Sequence, residues 1–143
     1  MPPLPPDLEA AFRNTTYTAD IPSRELKLRI DTPSPPLAQL LHQHHTRTAA
    51  YLTAVNPHAQ SLTDEANHQR LQELDTLLRH HNLTAYPGRA LADSNDWPPE
   101  PSRLILAIDL QQATAIANRF DQRAFLCIDL NRSDPPAPQL ITL

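Results

Sequence analysis

A single glycine, a single cysteine and a single lysine among 143 residues exclude several chemistries at once. Loops that cradle phosphate need several glycines, so that backbone N–H groups can come close to the ligand. Gly88 alone supplies neither a Walker loop nor a GxGxxG turn, and HExxH, CxxC and GxSxG are also missing. Classical P-loop, Rossmann, zinc-metalloprotease and α/β-hydrolase chemistry is therefore excluded, and no cofactor is expected. Cys127 has no partner for an intrachain disulfide, which suits a reducing compartment. Its place in AFLCI reads as a small hydrophobe on an interior strand rather than as a nucleophile.

The charge pattern excludes more. Twelve basic residues stand against sixteen acidic ones, for a net charge of −4, and beyond Lys27 the cations are scattered arginines. Binding a phosphate backbone draws on clustered Lys and Arg, so no duplex nucleic acid is expected as a partner. No run approaches the roughly 20 apolar residues that cross a bilayer. The start, MPPLPPDLEAAF, has neither the basic region nor the long apolar core of a signal peptide. A cytoplasmic protein without membrane contact is expected.

Proline is the residue in excess, with sixteen copies, thirteen of them clustered at 2–6, 33–36, 98–101 and 135–138. Each fixes its own φ, removes a donor and restricts the residue before it, so the clusters read as punctuation between elements. Residues 1–6 are expected to form a flexible N-terminal segment and 7–143 a single domain. An apolar content of 40 % over this length builds one core and not two.

Between the prolines the periodicities are readable. Asp7 is placed to cap a short helix with Leu8, Ala11 and Phe12 on one face. Leu26, Leu28 and Ile30 alternate with Lys27 and Arg29, the period of a strand with one solvated face. Leu37, Leu40, Leu41 and His44 have helical spacing, and Thr48 to Asn56 is apolar enough for a central strand stopped by Pro57. Ser61 and Asp64 form a candidate capping box for the longest helix, with Leu71, Leu74, Leu77 and Leu78 inward. Asp109 and Gln112 form another, for a helix with Ala113, Ile116, Ala117 and Phe120 inward. That helix lies between LILAI (104–108) and AFLCI (124–128), a β-α-β pattern, and QLITL supplies a final strand. The fold class is α/β, with α+β as the alternative: a single domain with a mixed β-sheet packed against three to four helices.

Seven histidines include the run His42, His44, His45 and the pair His80, His81. His42 and His45 could share a metal ion, but a catalytic zinc site needs a third protein ligand. Solvated histidines near helix ends are the simpler account, and no metal is expected. The pairs Asp93 with Asp96 and Asp129 with Asp134 lie in turn-like sequence, where Asp bonds its own backbone. A polar set at element edges is more informative. Asn67 and Arg70 share a helix face beside Leu71 and Leu74, where a polar group needs a partner. Asn56, Glu100 and Gln122 stand at element ends, within reach of such a face. Tyr86, Trp97, Glu100 and Ser102 fall in a region read as irregular between strands. These residues either converge on one cleft or lock loops to the sheet.

In their order and spacing AYLTAVNP, NHQR (67–70), YPGRA, WPPEPS and RFDQRAFL resemble DUF3293, a bacterial family described as a domain of unknown function. The resemblance spans about 50–128. It marks Thr53, Asn56, Pro57, Asn67 and Arg70, then Tyr86, Pro87 and Gly88, then Trp97, Glu100, Ser102 and Gln122. Val55 stands where the family pattern has a larger, often aromatic residue. The resemblance implies a shared fold and a shared site, with no established activity.

Three functions are consistent with these residues. A polar cleft holds a small anionic or nucleotide-like ligand or a peptide, with Arg70 and the amino end of its helix favouring negative charge. Alternatively the chain is a small hydrolase or transferase, with Glu100 as general base and Arg70 stabilising developing charge. In the third reading it is a protein–protein interaction domain without a small-molecule ligand.

Overall fold

A computed structural model describes residues 4–94 and 97–143. Among these the order is α1 (Pro6–Arg13), β1 (Thr15–Ile21), β2 (Arg24–Leu28), α2 (Pro35–Gln43), β3 (Thr48–Leu52), α3 (Asp64–His80), β4 (Ala85–Ala92), β5 (Glu100–Leu106), α4 (Leu110–Arg119), β6 (Ala124–Asp129) and β7 (Gln139–Thr142). The strands form one curled sheet, β2-β1-β4-β5-β3-β6-β7, so the chain is a single α/β domain with four helices on a seven-stranded sheet. Each neighbouring pair is antiparallel. β5 and β6, joined through α4, run parallel to each other with β3 between them.

Alternation along β3 divides the interior into two cores. Ala49 and Tyr51 share one with Leu37, Leu40 and Leu41 of α2. Ala50 and Leu52 share the other with Leu74 and Leu78 of α3 and Ile116, Ala117 and Phe120 of α4. The curl brings two proline clusters together: Asp31 N–H donates to Pro138 O (2.8 Å) and Ser34 N–H to Pro136 O (2.9 Å). Ser34 also caps α2, and Pro35 takes the first helical position, where its missing N–H is no loss.

Several expectations need correction. Of the expected flexible segment 1–6, residues 1–3 lie outside the described residues, and Pro6 already opens α1. Asp7 sits in the first turn of α1 and does not cap it; the N-cap is Pro5, which has no side-chain bond to offer. The cap of α3 is Thr63, whose Oγ1 accepts from Ala66 N (3.1 Å), because the helix begins only at Asp64, the third residue after Ser61. The Asp109–Gln112 capping box forms as expected, with both reciprocal bonds. Strand β1 was not expected, since its threonines blur the period of two. Tyr86 and Ser102, expected in an irregular region, lie in two paired strands, β4 and β5.

Pro87 and Pro101 therefore lie inside strands, and the ladder ends explain how. β1 pairs with β4 no further than Ala90, and β3 pairs with β5 no further than Arg103. Each proline stands beside a position its neighbouring strand has already left, so no ladder bond is lost.

Tyr17 and Tyr51 meet edge-on, ring centroids 5.3 Å apart, on the α2 face of the sheet. Burial pushes both phenols well above their ordinary range, and for Tyr17 the charge of Glu100 adds to the effect. A phenol raised on folding keeps its proton where the unfolded chain has lost it. Stability should therefore hold below the unfolded pKa of about 10 and fall as pH rises beyond it, by up to about 2.7 kcal/mol per pH unit for two tyrosines. Urea midpoints measured at increasing pH check this. Tyr51→Phe should roughly halve the slope, and an unchanged slope would refute the assignment. Partial burial shifts the Cys127 thiol in the same direction, so Cys127→Ala serves as the common background.

Candidate functional site

The site is built on the turn that follows β3. Thr53 Oγ1 donates to Pro101 O (2.6 Å) and accepts from Val55 N (3.1 Å), a local motif that bends the chain away from the sheet. Asn56 follows with φ 51° and ψ 61°, a left-handed conformation that Asn tolerates better than most residues. Asn56 N donates to Asn67 Oδ1 (2.9 Å), and Asn67 Nδ2 donates back to Asn56 Oδ1 (2.8 Å). The same Oδ1 accepts from Leu62 N (3.1 Å), while Asn56 Nδ2 donates to Glu100 Oε2 (2.7 Å).

One turn along α3, Arg70 grips the other side of this segment. Its Nε donates to Ala54 O (2.6 Å) and its Nη2 to Phe120 O, and the guanidinium lies 5.8 Å from the Phe120 ring centre. Gln122 Nε2 donates to Val55 O (3.0 Å) and to Phe120 O (3.2 Å). Thr53, Asn67, Arg70 and Gln122 together satisfy backbone groups that the irregular turn leaves without ladder partners. The arrangement is a clamp, and it fixes the amide that holds Glu100.

Glu100 faces a cleft of about 800 Å³, to whose walls α2 contributes nothing. Leu8, Ala11 and Phe12 of α1 line one side, and the sheet contributes Tyr17, Tyr51 and Leu126. Glu100 Oε2 accepts a second bond from Trp97 Nε1 (2.7 Å), and Trp97 is 39 % exposed. Ser102, buried on the same wall, donates to Glu100 O (3.1 Å).

Of the residues singled out in the sequence, Asn56, Trp97, Glu100, Ser102 and Gln122 line this cleft. Asn67 stands behind Asn56 as its hydrogen-bond partner. Arg70 does not line the cleft; its Nε and Nη2 are turned into backbone carbonyls. Tyr86 is elsewhere, its hydroxyl 2.9 Å from His44 Nε2 near the end of α2.

Comparison with protein families matches residues 52–125, just over half of the chain, to the family described as protein of unknown function (DUF3293). The chain belongs to the DUF3293 family. No curated protein and no solved structure matches it. The DUF3293 span contains the whole clamp together with Glu100 and Trp97, whereas α1 and β1, which complete the cleft, lie before it.

The apolar half of the cleft escaped the sequence reading of this DUF3293 chain. Tyr51 was legible as a strand residue and Phe12 as a helix residue, but nothing in their spacing says that they share a wall. The other polar candidates are engaged locally. His42 Nε2 lies 3.3 Å from Asp134 Oδ2, and Asp129 Oδ1 accepts from Asn131 N (2.9 Å). Asp93 pairs with Arg29 (2.8 Å), and Asp96 lies outside the described residues. Among the described residues no group of three or more His, Cys, Asp or Glu is placed to hold a metal. No helix among them is long and apolar enough to cross a membrane.

Proposed function

We propose that this DUF3293 chain binds a small, largely apolar molecule in the cleft beneath α1, with the molecule's polar group held at Glu100. The cleft itself carries the reading. Its volume of about 800 Å³ falls within the range of small-molecule sites. Its apolar walls lead to one carboxylate that is already oriented by Asn56 and Trp97. A polar group held in place before binding is what such a site requires.

The anionic, nucleotide-like and peptide ligands draw less support. Arg70 was to meet the negative group, but it does not line the cleft, and its Nε and Nη2 are engaged with Ala54 and Phe120. Among the described residues Arg123 is the basic residue on the cleft wall. A hydrolase or transferase with Glu100 as base lacks the same partner.

Uptake of a neutral apolar dye, N-phenyl-1-naphthylamine, tests the reading. Ala11 is exposed on α1 and lines the cleft, so Ala11→Trp fills the space without touching a core. Saturable dye fluorescence is expected for the unmodified chain, with loss of it in Ala11→Trp at an unchanged thermal midpoint. Equal dye uptake by both proteins would count against the cleft as the binding site.

A further inference from the structure

We infer that the ligand of this cleft carries a cationic nitrogen, an organic amine whose ammonium sits on Glu100 and whose apolar body lies against the aromatic wall. The inference rests on the cleft reading above and comes from a count of what the cleft offers. The donors on its sheet-side wall are committed. Tyr17 O–H donates to Phe12 O (2.8 Å), Tyr51 O–H to Thr18 O (2.7 Å) and Thr53 O–H to Pro101 O (2.6 Å). Ser102 O–H goes to Glu100 O, Trp97 N–H to Glu100 Oε2, and Gln122 Nε2 to Val55 and Phe120 carbonyls. What remains is acceptors. Among the described residues Glu100 Oε1 has no donor, although Oε2 has two. A ligand must therefore bring the donor, because a carboxylate oxygen covered by an apolar molecule would lose water without replacement.

The charges point the same way. Asp7, Asp93 and Glu100 line the cleft against Arg123, and Asp93 is neutralised by Arg29. Among the described residues, Asn14 and Arg123 bring donors to the cleft wall. A cation on the free oxygen of Glu100 also pairs with the carboxylate's charge, which a neutral donor does not. The indole of Trp97 is held beside Glu100 by its own N–H. An ammonium group supplies both the missing donor and the opposite charge, and a carboxylate ligand would meet repulsion at the same point.

A matched set of ligands separates the inference from the reading beneath it. The probes are 4-phenylbutylamine, 4-phenylbutanol and 4-phenylbutyrate, which share one apolar body and differ in the polar end. Binding is followed by the fluorescence of Trp97, the chain's one tryptophan. The amine should bind at least about 10-fold more tightly than the other two. Glu100→Gln keeps an acceptor for Asn56 and Trp97 and removes the charge, and it should erase that preference. Equal binding of amine and alcohol would overturn the cationic class while leaving the cleft reading standing, as would tightest binding of the butyrate. An amine preference that survives in Glu100→Gln, at an unchanged thermal midpoint, would overturn Glu100 as its seat. No saturable change with any probe up to its solubility would overturn the cleft reading and this inference together.

Discussion

Gly88→Ala should lower stability by about 3 kcal/mol, the upper part of the range for overpacked interiors. For a domain of this size that is a drop of roughly 10 °C in the thermal midpoint. The reason is space. A Cβ at position 88 would lie 1.8 Å from Thr18 O, 2.8 Å from Thr18 C and 3.0 Å from the Tyr51 hydroxyl. Two of these atoms belong to the backbone, which cannot rotate away as a side chain can. The approach is enforced from both sides. Tyr51 O–H holds Thr18 O at 2.7 Å, and Thr18 Oγ1 takes Arg89 N (3.0 Å) while donating to Arg89 O (3.2 Å). The β1–β4 ladder ends at Tyr17 and Ala90, and at the next residue the Thr18 side chain replaces main-chain pairing. The expected damage also reaches the cleft, because Tyr17 and Tyr51 are cleft residues held by this crossing. Thermal unfolding of the purified variant measures it, and a midpoint within about 2 °C of the unmodified chain would show that the strands relax freely.

That crossing also shows what a sequence can and cannot disclose. Gly88 is conspicuous as the sole glycine, and the family resemblance marks it, yet its reason lies 70 positions away in Thr18. Helices were legible because their signal is local. Ala113, Ile116, Ala117 and Phe120 are all buried as their spacing predicts, and the Asp109–Gln112 box forms. β4 was not legible, because Tyr86-Pro87-Gly88 carries the residues of a turn. Only the early ends of β1 and β3 make a proline tolerable there and in β5. The Asn67–Asn56 contact was within reach of sequence reasoning, since an amide beside a leucine stripe has to find a partner. The role of Arg70 was not, because its acceptors are backbone carbonyls, which leave no mark on residue identity.

Arg70→Ala is the second large effect expected, and it falls on stability. Removing the guanidinium strips a charged donor from Ala54 O and from Phe120 O at a side chain only 23 % exposed. Hydrogen bonds to charged groups contribute about 1.5–3 kcal/mol, and carbonyls left without partners add a further desolvation loss. A decrease of roughly 2–3 kcal/mol is expected, since water can reach part of the site. Arg70→Lys should recover little of it, because an ammonium on a flexible stem lacks the planar fork that meets two carbonyls at once. Gln122 makes the assignment sharper. Its Nε2 donates to the same Phe120 carbonyl (3.2 Å), so loss of either side chain leaves the other as partial cover. Arg70→Ala and Gln122→Ala should therefore be non-additive, the double variant losing more than the sum of the singles. Urea melts of the four proteins complete the cycle. An Arg whose work is to hold a ligand would behave otherwise: Arg70→Ala would unfold at the same urea concentration as the unmodified chain, and the clamp would be wrong.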